Sequence, residues 1–365
     1  METTDIKVTV IIPVYNAADY LAPAMDSIIC QTLTDIEIIC VDDGSTDASL
    51  DVIRDYGVRD ERIKIVTQAH SGPAVARNRG LRLAGGKYVI FLDADDFYEP
   101  TLLEELYGAA EKSSLEVVIA DYDIFNSHKS VFERTSQAEH EEIYEGREAT
   151  SKNEFPDVIF SSTNGAAWNK LFKRSFVLEK GLLFLADVKM YEDVYFTVTA
   201  LSLAERVGKV HKILIHHRVY SEQSRAKLFR KYYSQVPMIF AKIKEFLMKK
   251  GMYSPLVTSY LNLSASRCYK IYNILGSDAK EHFWNMLHGE YIEALGWQGT
   301  PSSEYEESEV FEFVASIELY DHKQYKRRVA QGRHARTVAL DRNVRSKKKM
   351  RRFNAILAKI FGKEK

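Results

Sequence analysis

Short, nearly unbroken apolar runs alternate with amphipathic stretches through the first third of the chain. Residues 8–12, 36–41, 63–66, 88–92 and 117–120 are rich in Val, Ile and aromatic residues, the pattern of strands covered on both faces of a parallel sheet. Between them, residues 20–29, 48–56, 74–84 and 101–112 repeat apolar positions at helical spacing. Asp47, Ser71 with Pro73, and Pro100 stand where those helices should start. The alternation predicts an α/β fold with a mostly parallel sheet flanked by helices.

Residues 126–154 are polar and acidic and read as an excursion over the surface. A shorter strand-and-helix pattern resumes near Asp157 and ends in a run at 212–216. From about Phe229 to Leu295, aromatic, Leu and Lys residues recur at helical spacing, which predicts a helical subdomain. The expected organisation is an α/β domain over 1–225, with halves at 1–122 and 155–225. A helical subdomain over 226–322 and a basic tail over 323–365 follow it.

Charge sharpens that division. The formal net charge is -1, yet residues 323–365 hold 16 Lys+Arg against Asp341 and Glu364, leaving 34 basic and 49 acidic residues before them. An acidic body thus precedes a basic tail. Near the end, Phe353, Ile356, Leu357, Ile360 and Phe361 form one apolar helical stripe among basic residues. A basic amphipathic helix suits an anionic membrane surface, and also a partner protein or the acidic body itself. No aromatic-interleaved basic module points to nucleic acid. No apolar run approaches the roughly 18–20 residues needed to span a bilayer. The acidic N-terminus lacks a signal-peptide pattern. Cys30, Cys40 and Cys268 lack metal-type spacing, and burial of the first two is expected, which favours a reducing compartment.

In open α/β sheets, ligands bind beyond the carboxyl ends of the strands. There the second run delivers Asp42-Asp43-Gly44-Ser45 and the fourth delivers Asp93-Ala94-Asp95-Asp96. So many carboxylates at one edge repel each other unless a cation or hydrogen-bond donors offset them. Asp93, Asp95 and Asp96 suit a hard Mg²⁺ or Mn²⁺ ion, or else form a helix cap followed by a solvated acidic turn. Neither a phosphate loop nor a Gly-x-Gly-x-x-Gly follows the first strand, where Pro13-Val14-Tyr15-Asn16 stands instead. That argues against a P-loop NTPase and a Rossmann dehydrogenase. Tyr15 could stack on a base while Asp43 accepts from its ring N–H, or Tyr15 could simply pack at a strand end.

Five segments, taken in order, resemble family 2 glycosyltransferases: Val10-Ile11-Ile12-Pro13-Val14-Tyr15-Asn16, Gln31-Thr32, Val41-Asp42-Asp43-Gly44-Ser45-Thr46-Asp47, Gly72-Pro73-Ala74-Val75-Ala76-Arg77-Asn78-Arg79-Gly80 and Tyr88-Val89-Ile90-Phe91-Leu92-Asp93-Ala94-Asp95-Asp96. A looser likeness runs through Trp168-Asn169-Lys170-Leu171-Phe172 and Met190-Tyr191-Glu192-Asp193-Val194 to about Arg225. The resemblance implies a GT-A fold and inverting sugar transfer from a nucleotide diphosphate donor, a UDP-sugar being favoured. It assigns Pro13, Tyr15 and Asp43 to the nucleoside, and Asn16, Asp42, Arg77, Asp93 and Ala94 to the nucleotide-sugar pocket. Asp95 becomes the leading metal ligand, with Asp93 and Asp96 beside it. Asp193 becomes the base and Glu192 the group that orients hydroxyls. His217, Arg218 and Ser221 become diphosphate contacts, and His216, on the opposite strand face, is structural. Trp168 and Lys170 fall to the acceptor pocket, although Trp168 equally suits core packing.

The combined expectation is a metal-dependent glycosyltransferase held peripherally on the cytoplasmic face of a membrane. It would elongate a lipid-linked saccharide for capsule, exopolysaccharide, O-antigen or teichoic-acid synthesis. A nucleotidyltransferase and a non-catalytic glycan-assembly scaffold are the rival readings.

Overall fold

The computed structural model describes residues 5–133, 139–219 and 229–330. Its first four strands lie where the apolar runs predict. β1 (Val8–Val14) is flanked in parallel by β2 (Ile36–Asp42) and β4 (Tyr88–Phe91), and β3 (Ile63–Thr67) lies outside β2. Val14 pairs with Asp42 and Asp42 with Thr67, so these strands end in line and deliver their loops to one edge.

The sheet is mixed beyond β4. Its order is β3-β2-β1-β4-β8-β6-β9-β5, once β5 (Phe97–Tyr98), β6 (Val117–Asn126), β8 (Lys170–Lys173) and β9 (Val207–Val219) are included, and β7 (Val131–Glu133) pairs with β6. β8 runs antiparallel to both β4 and β6, whereas β6 and β9 are parallel. A parallel neighbour needs a crossover, usually helical. β8 is instead entered from the irregular segment before it, so the expectation of a mostly parallel sheet holds for its first half. β9 is also far longer than the anticipated 212–216, and its upper half carries functional candidates.

The helices follow the predicted stripes closely: α1 (Ala18–Ile29), α2 (Ser49–Arg59), α3 (Pro73–Leu83) and α4 (Leu102–Lys112). Asp47 starts two of them, receiving the Ala18 N–H at 3.1 Å and the Ser49 N–H at 3.0 Å. α3 packs so closely on β1 that a Cβ at Gly80 would lie 2.4 Å from Ile11 Cγ2. α5 (Arg174–Lys180) and α6 (Glu192–Leu203) follow β8.

The described residues divide into two compact units, one drawn from 5–219 with 245–259 and the other from 229–244 with 260–330. The described helices after β9 begin with α7 (Gln235–Lys249) and α8 (Val257–Ile274). The second unit contains α9 (Ser277–Met286), α10 (Ser308–Leu319) and α11 (His322–Ala330). Its centre is aromatic, with Trp284 and Trp297 fully buried and Trp284 stacked on Tyr325 at 4.2 Å. Among the described residues no helix is long and apolar enough to cross a membrane. The apolar stripe at 353–361 lies outside the described residues. Cys40 and Cys268 are buried, but Cys30 is exposed because it sits at the C-terminal end of α1 rather than on its packed face.

Gly80→Ala should overpack the α3–β1 contact and lower unfolding free energy by about 1–3 kcal/mol in urea denaturation. A neutral result would mean that the helix can move away from β1 at little cost.

Candidate active site

The loops after β1 and β2 are tied together by short polar side chains. Asn16 adopts a left-handed backbone, φ 48°, which Asn tolerates better than most residues. Its N–H reaches Ser45 Oγ at 3.2 Å and its Oδ1 accepts the Thr46 N–H at 2.8 Å. Asp42 is buried and accepts the Ser45 N–H at 3.3 Å. Gly44, φ +75°, must be small, since a Cβ would lie 2.9 Å from the His70 nitrogen.

Asp43 organises the loop after β3. One carboxylate oxygen accepts Gln68 Nε2 at 2.6 Å and the Ser71 N–H at 2.9 Å; the other accepts the Gly72 N–H at 2.8 Å and faces His70 Nδ1 at 2.9 Å. His70 in turn stacks on Tyr15, centroids 4.0 Å apart and planes 21° apart. Tyr15 is 45% exposed, so this is not a packed core aromatic. The pair walls a cavity of about 500 Å³ that Pro13, Asn16 and Asp43 also line. Sequence reasoning missed His70. Its signal was its place just beyond β3, two residues before Gly72-Pro73.

Asp93, Ala94 and Asp95, arriving from β4, line the same cavity with Arg77 from α3. Arg77 is buried. Its Nη2 donates to Asp93 Oδ1 at 2.8 Å and its Nη1 to Glu192 Oε1 at 3.0 Å, while the guanidinium lies 5.4 Å from the Phe184 ring. Burial works against its charge, but Asp93, Glu192 and Asp193 together hold its pKa above the ordinary value. Its Nε–H is buried without a hydrogen-bond partner among the described residues.

Tyr191 enters α6 with φ 61°, a left-handed conformation that costs a residue with a bulky side chain on the order of 1–3 kcal/mol. It is followed by buried Glu192 and half-buried Asp193, whose Oδ1 accepts the Val194 N–H at 2.8 Å. Burial, and then repulsion from Glu192, push the Asp193 carboxyl up to about 7 despite the pull of Arg77. Thus the Asp-x-Asp turn and the Glu192-Asp193 pair, far apart in sequence, share one cation.

β9 secures the acidic turn from another side. Asp96 is fully buried, facing His217 Nδ1 at 3.0 Å and accepting the Arg218 N–H at 2.8 Å. Its desolvation raises its pKa. His217 stacks on Trp168, centroids 4.8 Å and planes 14° apart. Arg218 Nε donates to the Asp95 carbonyl at 2.7 Å. His216 turns to the other strand face, as alternation requires, and meets Asp123 at 2.7 Å and Glu99 at 3.0 Å. Lys170 is fully buried, and its ammonium lies 2.7–3.0 Å from four oxygens of Asn164, Ala166 and Asn169. Desolvation lowers its pKa well below the usual lysine value. It therefore holds the segment carrying Trp168, which is itself buried in the core, so neither residue is open to an acceptor as the resemblance implied and Trp168 follows the core-packing alternative. Ser221 lies outside the described residues.

Among the described residues no three His, Cys, Asp or Glu side chains gather as a complete metal site. The donor set still fits Mg²⁺ or Mn²⁺, because Asp93 and Asp95 offer hard oxygens to one cavity, and these ions commonly take one or two carboxylates plus substrate phosphates.

Fold and cavity together define an α/β protein with an acidic cavity at the ends of its parallel strands. Residues 9–176 match the family model Glycosyl transferase family 2. It is 34% identical over 218 residues to the glycosyltransferase GlyA of Streptococcus pneumoniae, covering 59% of this chain and 31% of GlyA. It is 30% identical over 212 residues to the poly(ribitol-phosphate) beta-glucosyltransferase of Bacillus spizizenii, covering 55% of this chain and 30% of that protein. The chain thus spans about a third of the length of these two relatives. The crystal structure of S. aureus TarS 1-349 in complex with UDP-GlcNAc shares the GT-A-type fold, with a TM-score of 0.71 at 20% identity, covering 89% of this chain and 92% of that one.

Removing the shared cation should be costly. Arg77→Met would leave two carboxylates unpaired, and breaking such a buried pair costs on the order of 3–5 kcal/mol; a loss under 1 kcal/mol in urea denaturation would contradict the described clamp. Asp193 adds a pH dependence. Its folded pKa near 7 exceeds the roughly 3.9 of an unfolded Asp, so its contribution is intact below pH 4 and is lost as pH rises through 7. The Tm advantage of Asp193→Asn over the natural protein should therefore grow between pH 4 and pH 7. A constant difference would place the Asp193 pKa near its ordinary value.

Proposed function

We propose that this protein is an inverting glycosyltransferase that moves a sugar from a nucleotide diphosphate sugar to a saccharide acceptor. The observation that carries the reading is the Arg77 bridge between the donor-side turn and the Glu192-Asp193 pair. It sets an acidic, ion-binding cavity beside a carboxyl whose pKa of about 7 suits a general base.

In this reading Tyr15, backed by His70, offers its open face to the base, and Pro13, Asn16 and Asp43 line that end of the cavity, with Asp42 buried behind them on the Ser45 N–H. The resemblance at Asp43 favours uracil, hence a UDP-sugar. Arg77, with its unpartnered Nε–H, and His217, Arg218 and Ser221 serve the diphosphate end. Mg²⁺ or Mn²⁺, held by Asp95 and Asp93 with Asp96 behind them, would neutralise the negative charge that builds on the departing diphosphate. Asp193 takes the proton from the acceptor hydroxyl as that oxygen bonds to the anomeric carbon from the face opposite the diphosphate. The anomeric C–O bond breaks, the diphosphate departs with its electron pair, and the configuration inverts. Glu192, fixed by Arg77, orients hydroxyls, while Trp168, buried in the core between Tyr122 and His217, supports that side of the site from behind.

In the same reading the catalytic residues lie in 1–225, the helical subdomain expected over 226–322 gives up 245–259 to the first unit and continues in helix to Ala330, and the basic segment within 323–365 attaches peripherally to the anionic cytoplasmic face of a membrane. The Bacillus spizizenii relative, a poly(ribitol-phosphate) glucosyltransferase by name, supports a cell-surface polymer as the product. A lipid-linked saccharide is the matching acceptor.

The test is release of free nucleoside diphosphate from a panel of sugar nucleotides, with Mn²⁺ and membrane lipid extract, by the full chain and by Asp193→Ala. One donor should be turned over, with an acid limb near pH 7, and Asp193→Ala should be slower by about 10²–10⁴-fold. Release of pyrophosphate instead would establish a nucleotidyltransferase, and no turnover with any donor would sink the transferase reading.

A further inference from the structure

A second hollow, of about 490 Å³, lies on the strand face to which His216 turns. It is built by β5 and its following turn, by β6 and by β7. Phe97 stacks on His216 at 4.8 Å, and Phe132 meets the His216 ring at 5.2 Å and Phe125 at 5.1 Å. Phe132 is nevertheless 56% exposed, a large flat apolar side chain left open on a three-residue strand. Beside it the His216 imidazole lies between Asp123 and Glu99, which fixes both carboxylates, Asp123 buried in the floor of the hollow and Glu99 at its rim. The Glu99 side chain remains 47% exposed.

This combination selects a ligand chemistry. An open aromatic face next to immobilised hydrogen-bond acceptors suits a pyranose, whose C–H face stacks while its hydroxyls donate. Neither Lys nor Arg lines the hollow, so an anionic phosphate polymer would meet two carboxylates and no direct cation. Its volume falls within the roughly 300–1,000 Å³ of small-molecule sites. The hollow also adjoins the catalytic turn through the chain itself, since Phe97 follows Asp96 directly. Arg218, bonded to the Asp95 carbonyl, lies 5.3 Å from the Phe97 ring.

We infer that this hollow is a secondary saccharide subsite, in which Phe132 stacks a neutral sugar of a glycan chain while Asp123 and Glu99 accept hydrogen bonds from its hydroxyls. It rests on the glycosyltransferase reading and extends it: sugars remote from the reacting hydroxyl would be gripped here, supplying binding energy away from the chemistry.

The experiment presents the full chain with an array of neutral and anionic oligosaccharides, alongside Phe132→Ala and Asp123→Asn. Donor hydrolysis, with water as acceptor, is measured on the same preparations. Phe132 sits on an exposed strand, so its truncation should leave the fold and donor hydrolysis intact. The expected result is binding of at least one neutral oligosaccharide, weakened tenfold or more by Phe132→Ala, with hydrolysis unchanged. No neutral oligosaccharide bound, or equal binding by Phe132→Ala, overturns the subsite even where donor hydrolysis proceeds. Self-association of the chain abolished by Phe132→Ala, without saccharide binding, overturns it in favour of an interface between copies. Absence of donor hydrolysis in every preparation counts against the transferase reading instead, and the array still decides the subsite.

Discussion

The site depends on one buried guanidinium. Asp93, Glu192 and Asp193 would repel one another in a partly dry setting, and Arg77 offsets that repulsion by direct bonds to the first two. A salt bridge of this kind is weak evidence for stability, because desolvation consumes much of the Coulomb gain. Its consequence is positional. It ties α3, the end of β4 and the start of α6 to a single point, so the Asp-x-Asp turn and the Glu192-Asp193 pair hold a fixed relation. The close approach of Gly80 to Ile11 serves the same end by seating α3 on β1.

Around that point the protein uses its polar groups to hold loops. Asp43 spends both oxygens on the segment after β3. Asp96 faces β9 rather than the cavity, and Lys170 anchors the segment carrying Trp168. Asp93 and Asp95 remain on the cavity wall. Residues of one chemical type thus divide between gripping the scaffold and facing a ligand, and the backbone hydrogen bonds available nearby decide which does which.

Local signals made the first half of the fold legible. Apolar runs and helical stripes located β1 to β4 and α1 to α4 closely, because periodicity is imposed by burial of the same face that forms the core. The second half was less readable. β5 and β7 are two and three residues long, too short for a pattern, and β8 is antiparallel for reasons of chain entry. In the site, motif positions foretold that Tyr15, Asp43, Arg77, Asp93 and Asp95 would gather. They did not foretell that Arg77 bonds to Glu192, 115 positions away, or that His70 backs Tyr15, since such contacts depend on how distant elements pack.

The central claim is that this acidic cavity binds a nucleoside diphosphate with a divalent cation. Calorimetric titration of UDP into the full chain, with and without Mn²⁺, and into Asp95→Ala, tests it most directly. The account predicts binding that requires Mn²⁺ and weakens at least tenfold in Asp95→Ala. Equal affinity with and without the ion, or an unaltered affinity in the variant, would contradict it.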